Sequence, residues 1–334
     1  MTLPLARVGQ TELYVTELAF GCVPLGNYPT ALSDAEAVAA VTRAVELGVG
    51  YFDVAPLYGH GLAEHRLGAA LRQVAGRDIR VSTKVGRLLK PEPEGQLSAD
   101  QSAGIFENPL PFSLINNYTY DGIMRSVEDS LQRLGLPALD ILHIHNIDPA
   151  NHAPADLELM FRECMLDGYF ALEQLRAEGT IKAIGVGNNS LEMCQRFSRE
   201  GDFDCFMMAG NYHLLDQAAG AGFLQDCSER GRSILLGSPF ASGLLVAPEP
   251  EKALYMYRPP SAEILAKLAQ IQEICHGYSV KMSAVALQFA LRHPAIACVV
   301  PGMRTVQEVE DCATAVTAQI PEGVWTDLAQ IGVE

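Results

Sequence analysis

The chain has 334 residues, 49% of them hydrophobic and 19% charged, enough for one large globular domain or two ordinary ones whose core needs no disulfide or structural metal. Asp and Glu number 40 against 24 Lys and Arg, a formal net charge of −16. Such a surface argues against nucleic acid and anionic membranes as partners, although a locally basic pocket or a helix N-terminus can still take an anionic cofactor.

Short apolar runs alternate with segments of helical period from end to end. Residues 1–10 carry Pro4 and Arg7 and no long apolar run, so neither a signal peptide nor a membrane span is expected there. Residues 5–15 read as a β-hairpin turning at Gly9-Gln10 and plugging the N-terminal end of a barrel. Strands are predicted at 17–21, 50–53, 79–84, 139–145, 181–187, 205–210, 233–237 and 297–300. Between them, 33–47 reads as an amphipathic helix capped by Ser33, with Ala37, Val41, Ala44 and Val45 at three-to-four spacing. Gly59-His60-Gly61 is a turn into a helix around Glu64 rather than a phosphate cradle. Further helices are predicted at 120–134, 157–178, 217–230 and 305–316, with Gly48, Gly135, Gly179 and Gly231 where helices should stop. Two more, 259–277 and 283–293, precede the last strand, one more than a minimal barrel needs.

Strands alternating with helices imply parallel βαβ units, and eight such units fit a closed (β/α)8 TIM barrel of the α/β class better than an open sheet. No composition shift marks a linker, so 1–334 is expected to be one domain. Three connections, 85–119, 146–156 and 238–260, are long and read as structureless loops. All follow strands, which puts them on the C-terminal rim where barrel active sites are built. The eight cysteines form no CxxC pair and no tight metal-ligand spacing. Reduced, mostly buried thiols of a cytoplasmic protein are the expectation, and the protein is expected to be a monomer or small homo-oligomer.

Three neighbouring strands end in reactive polar residues. The second ends Tyr51-Phe52-Asp53 and is followed by Tyr58, the third ends Ser82-Thr83-Lys84, and the fourth ends His143-Ile144-His145. In a parallel barrel these ends are adjacent, so Asp53, Tyr58, Lys84 and His145 should converge. The set suits proton-coupled hydride transfer. An ammonium at Lys84, held by Asp53, favours the phenolate of Tyr58 and is expected to lower its pKa. Tyr58 then exchanges a proton with a carbonyl or alcohol oxygen, and His145 orients that oxygen. The hydride itself requires a nicotinamide. Taken alone, Asp53 and Lys84 also fit a buried structural ion pair, and His143-x-His145 also fits a metal-ligand pair, although the further ligands such a site needs are not apparent.

At these residues the sequence resembles the aldo-keto reductases. Asp53-Val54-Ala55-Pro56-Leu57-Tyr58-Gly59 through Glu64 is similar to the family's first signature, Lys84 to its lysine, and Leu139 through His145 to its histidine strand. Gly179-Thr180-Ile181-Lys182-Ala183-Ile184-Gly185-Val186-Gly187-Asn188, Ser238-Pro239-Phe240-Ala241-Ser242-Gly243-Leu244 and Val300-Pro301-Gly302-Met303-Arg304 are similar to later cofactor segments. The resemblance implies that Asn188 holds the nicotinamide carboxamide. It implies that Ser238, Pro239, Phe240, Ser242, Gly243 and Leu244 wrap the pyrophosphate, and that Gly302, Arg304, Thr305 and Glu308 surround the adenosine end. Gly21 and Cys22, at the mouth of the first strand, are counted with this cofactor set. Where many members carry basic residues for a 2′-phosphate, this chain has Gly302 and Glu308, so NAD is expected over NADP, with Arg304 keeping NADP possible. Three positions depart from the family pattern: Gly187 replaces a serine, Met208-Ala209-Gly210 replaces a glutamine segment, and Gly237 stands where an aromatic ring often stacks.

Asn108-Pro109-Leu110-Pro111-Phe112, Tyr120 through Ser126 and His145-Asn146-Ile147-Asp148 are similar to the family's sugar and pyridoxal dehydrogenases, namely the D-threo-aldose (L-fucose), L-galactose and pyridoxal 4-dehydrogenase types. That resemblance implies a small-molecule sugar or pyridoxal-like substrate, oxidised as a cyclic hemiacetal to its lactone. General carbonyl reduction, or a cofactor-binding regulatory subunit without turnover, are the other readings. The set of Asp53, Tyr58, Lys84 and His145 argues against the last.

Overall fold

The structure is a computed structural model and describes residues 2–92, 105–255 and 258–333. Eight parallel strands follow one another in order: β1 (Phe20–Gly21), β2 (Tyr51–Asp53), β3 (Arg80–Val85), β4 (Ile141–His145), β5 (Ala183–Gly187), β6 (Cys205–Ala209), β7 (Ser233–Gly237) and β8 (Ile296–Val300). Parallel bridges from Leu18 to Val299 and from Gly21 to Gly302 join the first strand to the last, with the Ala19 and Gly21 amides donating to Val299 and Pro301. The sheet is thereby a (β/α)8 barrel, as expected.

Strand alternation sorts the side chains onto two faces. Phe52, Leu142, Ile184, Val186, Phe206, Ile234 and Leu236 face outward into the core under the helices. Tyr51, Ile141, Ala183, Cys205, Leu235 and Cys298 fill the interior together with Val8, Leu13 and Val15 of the N-terminal hairpin. That hairpin pairs Leu5–Arg7 with Tyr14–Thr16 and plugs the barrel floor. Its turn requires glycine. Gly9 has φ +56°, and a Cβ there would lie 2.5 Å from the Asp204 carbonyl oxygen.

The helix 33–47 is found at Asp34–Glu46, with Ser33 and Glu36 forming a capping box, and 120–134 is found at Tyr120–Leu134. The helix expected over 157–178 is instead three segments: α-helix Pro154–Glu163, a π turn at Cys164–Gly168, and α-helix Tyr169–Ala177. At the π turn Gly168 packs so closely that a Cβ would lie 2.0 Å from the Tyr118 carbonyl oxygen. The connection 85–119 is not structureless. Arg87–Pro91 and Phe112–Asn116 form an antiparallel ribbon over this rim, while the part of the loop at 93–104 lies outside the described residues. The ribbon's strands are separated by a long insertion, so no short turn advertised the pairing. Helices Leu191–Glu200 and Glu322–Gln330 were not foreseen, both short and with few buried apolar positions. All eight cysteines are free and buried. Among the described residues no helix is long and apolar enough to cross a membrane.

Candidate active site

The inward face of β2 to β5 ends at the C-terminal mouth, and there the four residues meet. Lys84 Nζ donates to Asp53 Oδ2 at 2.6 Å and to the Val54 carbonyl at 3.0 Å. The Ser82 hydroxyl donates to Asp53 Oδ1 at 2.7 Å, and Tyr51 lies 2.7 Å behind Ser82. Lys84 hydrogen-bonds Tyr58 and sits 4.8 Å from its ring centroid. The His145 ring meets Tyr58 edge-on, with centroids 6.2 Å apart. Glycines on β5 make the room. A Cβ on Gly185 would lie 2.3 Å from His143 Nδ1, and one on Gly187 would touch Lys84 Cε at 3.4 Å. The departure at Gly187 therefore leaves an open face beside the lysine.

Burial and charge compete at each group. Burial acts to lower the pKa of Lys84, but Asp53 and Tyr58 outweigh it, so the amine stays protonated above its usual range. Burial pushes Asp53 up, with Lys84 and Ser82 pulling the other way. Tyr58 departs from expectation. Burial pushes its hydroxyl up to about 12, and Lys84 recovers only part of that. The ammonium acts in the predicted direction, but it is already paired with Asp53, and the tyrosine loses more solvation than that charge returns. Tyr58 is thus a protonated phenol at neutral pH.

His145 and His143 are held well below the ordinary histidine range, first by burial and then by neighbouring cations, including Lys84 for both and Arg87 for His145. Each is a neutral imidazole. As the pH falls through 6.5 the unfolded chain gains protons at these positions and the folded chain does not, so stability present at neutral pH is lost on acidification. The melting temperature should therefore drop between about pH 7 and about pH 5, and less steeply in His143→Gln. An unchanged slope in that variant would remove His143 from the explanation.

The residues expected to hold a cofactor lie along the same rim, after β1, β5, β7 and β8. The Cys22 amide donates to the Asp53 carbonyl, and Cys22 itself is buried. Asn188 follows β5. Its Nδ2 donates to Ile147 O at 2.9 Å and its Oδ1 accepts from the Ser190 amide at 2.8 Å, leaving one N–H and one lone pair for a ligand. The loop from Ser238 to Leu244 carries Ser238, Ala241 and Ser242 at positive φ beside Gly243. Left-handed backbone at residues with side chains is costly and clusters at ligand clamps. Beyond β8, Gly302 packs beside Pro24, and the Arg304 guanidinium donates to Thr30. Thr305 caps helix Val306–Val316 by accepting the Glu308 amide, while the Glu308 carboxylate accepts the Arg304 amide at 2.7 Å.

Sequence reasoning missed several neighbours. Phe106 packs on Tyr58 at 6.4 Å and on Tyr28 at 6.2 Å between centroids. The main chain and side chain of Asn27 clamp the adjacent Glu107. Nothing in the aperiodic loop marked this phenylalanine. Arg87, buried in the ribbon, acts on His145 through its charge, and the Tyr118 hydroxyl donates to the His145 carbonyl at 2.7 Å. Among the described residues no three His, Cys, Asp or Glu side chains gather into a metal-binding group.

Residues 17–332 match the Aldo/keto reductase family. The chain belongs to that family. It is 37% identical over 332 residues to the pyridoxal 4-dehydrogenase of Microbacterium luteolum, covering 98% of this chain and 96% of that one. It is 38% identical over 319 residues to the D-threo-aldose 1-dehydrogenase of a Pseudomonas species, covering 95% and 94%. Among solved structures, an aldo-keto reductase of Bacillus halodurans in its holo form (AKR11C1) superposes with a TM-score of 0.74 at 25% identity over 98% of this chain and 96% of the other. As an aldo/keto reductase the protein is an oxidoreductase of a family that works with NAD(P)H. The rim is compatible with such a cofactor. Asn188 keeps unused hydrogen-bonding capacity, and the Ser238–Leu244 loop already holds left-handed backbone at Ser238, Ala241, Ser242 and Gly243.

Proposed function

We propose that this aldo/keto reductase oxidises the anomeric hydroxyl of a cyclic hemiacetal, an aldose of the L-fucose, L-galactose or D-arabinose type, to its lactone, using NAD in preference to NADP. The observation that carries the chemistry is the Tyr58 hydroxyl gathered between the Lys84 ammonium and the neutral His145 ring. Support for the substrate class comes from the two relatives named for an aldose and for pyridoxal, because both molecules exist as cyclic hemiacetals. Pyridoxal, giving 4-pyridoxolactone, is the second reading, favoured by the similarity to the Microbacterium enzyme.

When bound, an oxidised nicotinamide would supply the acceptor for the hydride of the anomeric carbon. Tyr58, in its phenolate form, receives the hydroxyl proton and becomes the phenol, and in the reverse direction the phenol returns that proton to the carbonyl. Lys84 stabilises the phenolate form, and Asp53, fixed by Ser82, keeps Lys84 charged and in place. His145, being neutral, donates an N–H to the substrate oxygen and orients it without adding a second positive charge beside Lys84. Asn188 would hold the carboxamide, with Gly21 and Cys22 beside it at the mouth of β1. The loop of Ser238, Pro239, Phe240, Ser242, Gly243 and Leu244 would hold the pyrophosphate, and Gly302, Arg304, Thr305 and Glu308 the adenosine end.

The Glu308 carboxylate at a helix N-terminus repels a 2′-phosphate and accepts a bond from a ribose hydroxyl instead. Wild-type kcat/KM should favour NAD by about tenfold or more, and Glu308→Gln should narrow that ratio by about tenfold. A wild-type preference for NADP would refute the assignment. Appearance of reduced nicotinamide with a panel of aldoses, pyridoxal and simple alcohols tests the function. Turnover confined to simple aldehydes and ketones would point to a general carbonyl reductase, and no turnover at all to a regulatory subunit.

A further inference from the structure

Arg87 is a buried cation that the proposed chemistry does not use. It lies one residue beyond Gly86, at the start of the ribbon, and pairs in register with Asn116. Among the described residues no carboxylate forms an ion pair with it, and its Nε–H has no hydrogen-bond partner. A buried charge left in this state is costly unless its field or its remaining hydrogen bonds serve something nearby. The Arg87 guanidinium acts on the Tyr118 hydroxyl, pulling against the burial that pushes it up to about 12, and the Arg87 main chain adjoins Gly86, which packs on the Tyr118 ring. Tyr118, itself fully buried, donates in turn to the backbone carbonyl of His145 at 2.7 Å.

The seat of Tyr118 is built closely. Gly86 has φ +94°, and a Cβ on it would lie 2.1 Å from Tyr118 Cε1. On the other side the π turn presses Gly168 against the Tyr118 carbonyl. Gly86 against the ring and Gly168 of the π turn against the backbone thus fix one residue whose hydroxyl ends at His145. The His145 ring lacks such support of its own, because its buried Nδ1 has no hydrogen-bond partner.

We propose that Arg87 and Tyr118 are positioning residues for His145, with the Tyr118 hydroxyl pinning the end of β4 and Arg87 the buried cation that follows the Gly86 seat of that ring. This rests on the reading of His145 as the residue that orients the substrate oxygen. The charged and titratable groups acting on the ring are Arg87 from the ribbon, Lys84 from β3, His143 from β4 and Tyr58 from the turn after β2. Asp148 and His152, in the loop after β4, interact through charge with Tyr118 and Arg87 respectively. Of the cations, Arg87 acts most strongly on His145.

The test follows His145 in the cofactor-free protein by NMR of 13C-labelled histidine, assigned with His145→Gln, alongside kinetics of the loaded enzyme. Arg87→Met should move the His145 titration up towards that of an ordinary histidine. It should also lower kcat about tenfold and introduce an acid limb in the pH profile of kcat/KM that the wild type lacks. Arg87→Lys should restore the titration and recover only part of the rate. Tyr118→Phe should lower kcat while leaving the titration in place, which a merely structural role for the pair would not separate. A His145 titration unmoved in Arg87→Met, with wild-type kcat, overturns the proposal. Should Arg87→Met not fold, wild-type kcat in both Arg87→Lys and Tyr118→Phe overturns it equally. Absence of turnover in the wild type would instead remove the functional reading and leave the NMR arm to decide the link between Arg87 and His145.

Discussion

Tyr58→Phe should lower kcat for hemiacetal oxidation by about 10³-fold while leaving cofactor affinity within about twofold. The ring stays, so its packing against Phe106 and His145 is preserved and only the proton site is lost. The pH dependence gives a second, sharper reading. Burial raises the Tyr58 hydroxyl to about 12 in the cofactor-free chain, so at neutral pH the phenol is the dominant form. Oxidation needs its conjugate base, which becomes about tenfold more abundant with each unit the pH rises while it remains below that value. The oxidation rate should therefore climb through the alkaline range, whereas carbonyl reduction, which uses the protonated form, should not. In Tyr58→Phe the climb should vanish along with the activity. Turnover that survives the substitution unchanged would show that the proton travels elsewhere.

Lys84→Met should have the largest combined effect, because the residue serves the chemistry and the fold together. The Lys84 and Asp53 side chains are 3% and 4% exposed, and removing the amine leaves a buried carboxylate without its counter-charge. Breaking such a pair from one side costs about 3–5 kcal/mol. Activity should fall by about 10²-fold or more, since the phenolate loses the one ammonium that hydrogen-bonds it. The double variant Lys84→Met/Asp53→Asn separates the two contributions. It removes the orphaned charge, so most of the lost stability should return, measured by denaturant unfolding. Its activity should stay low. Recovery of both would mean that the ion pair is a structural feature of the barrel and nothing more.

The convergence of the four polar residues was legible for a simple reason. Residues two apart on a strand share a face, and adjacent parallel strands end together, so Asp53, Lys84 and His145 had to arrive at one mouth once the barrel was inferred. The helix at Tyr120–Leu134 and the capping box of Ser33 and Glu36 were equally local, set by apolar period and by side chains within one turn. The ribbon of Arg87–Pro91 with Phe112–Asn116 was not local. Its partners are far apart in the chain and carry no turn signal between them. Phe106 over Tyr58, and Tyr118 beneath His145, are side-chain neighbours from loops whose paths no periodicity describes.

Residue order alone determined the barrel, its hairpin plug and which polar residues gather at its mouth, because these depend on alternation, capping and strand succession, all short-range along the chain. Only the folded chain decided how those groups ionise. Whether Lys84 or burial governs Tyr58 depends on how completely the rim loops exclude water and on how much of the ammonium's field Asp53 absorbs. Solvent exclusion and charge pairing arise between distant segments, so neither could be read before the mouth of the barrel was built.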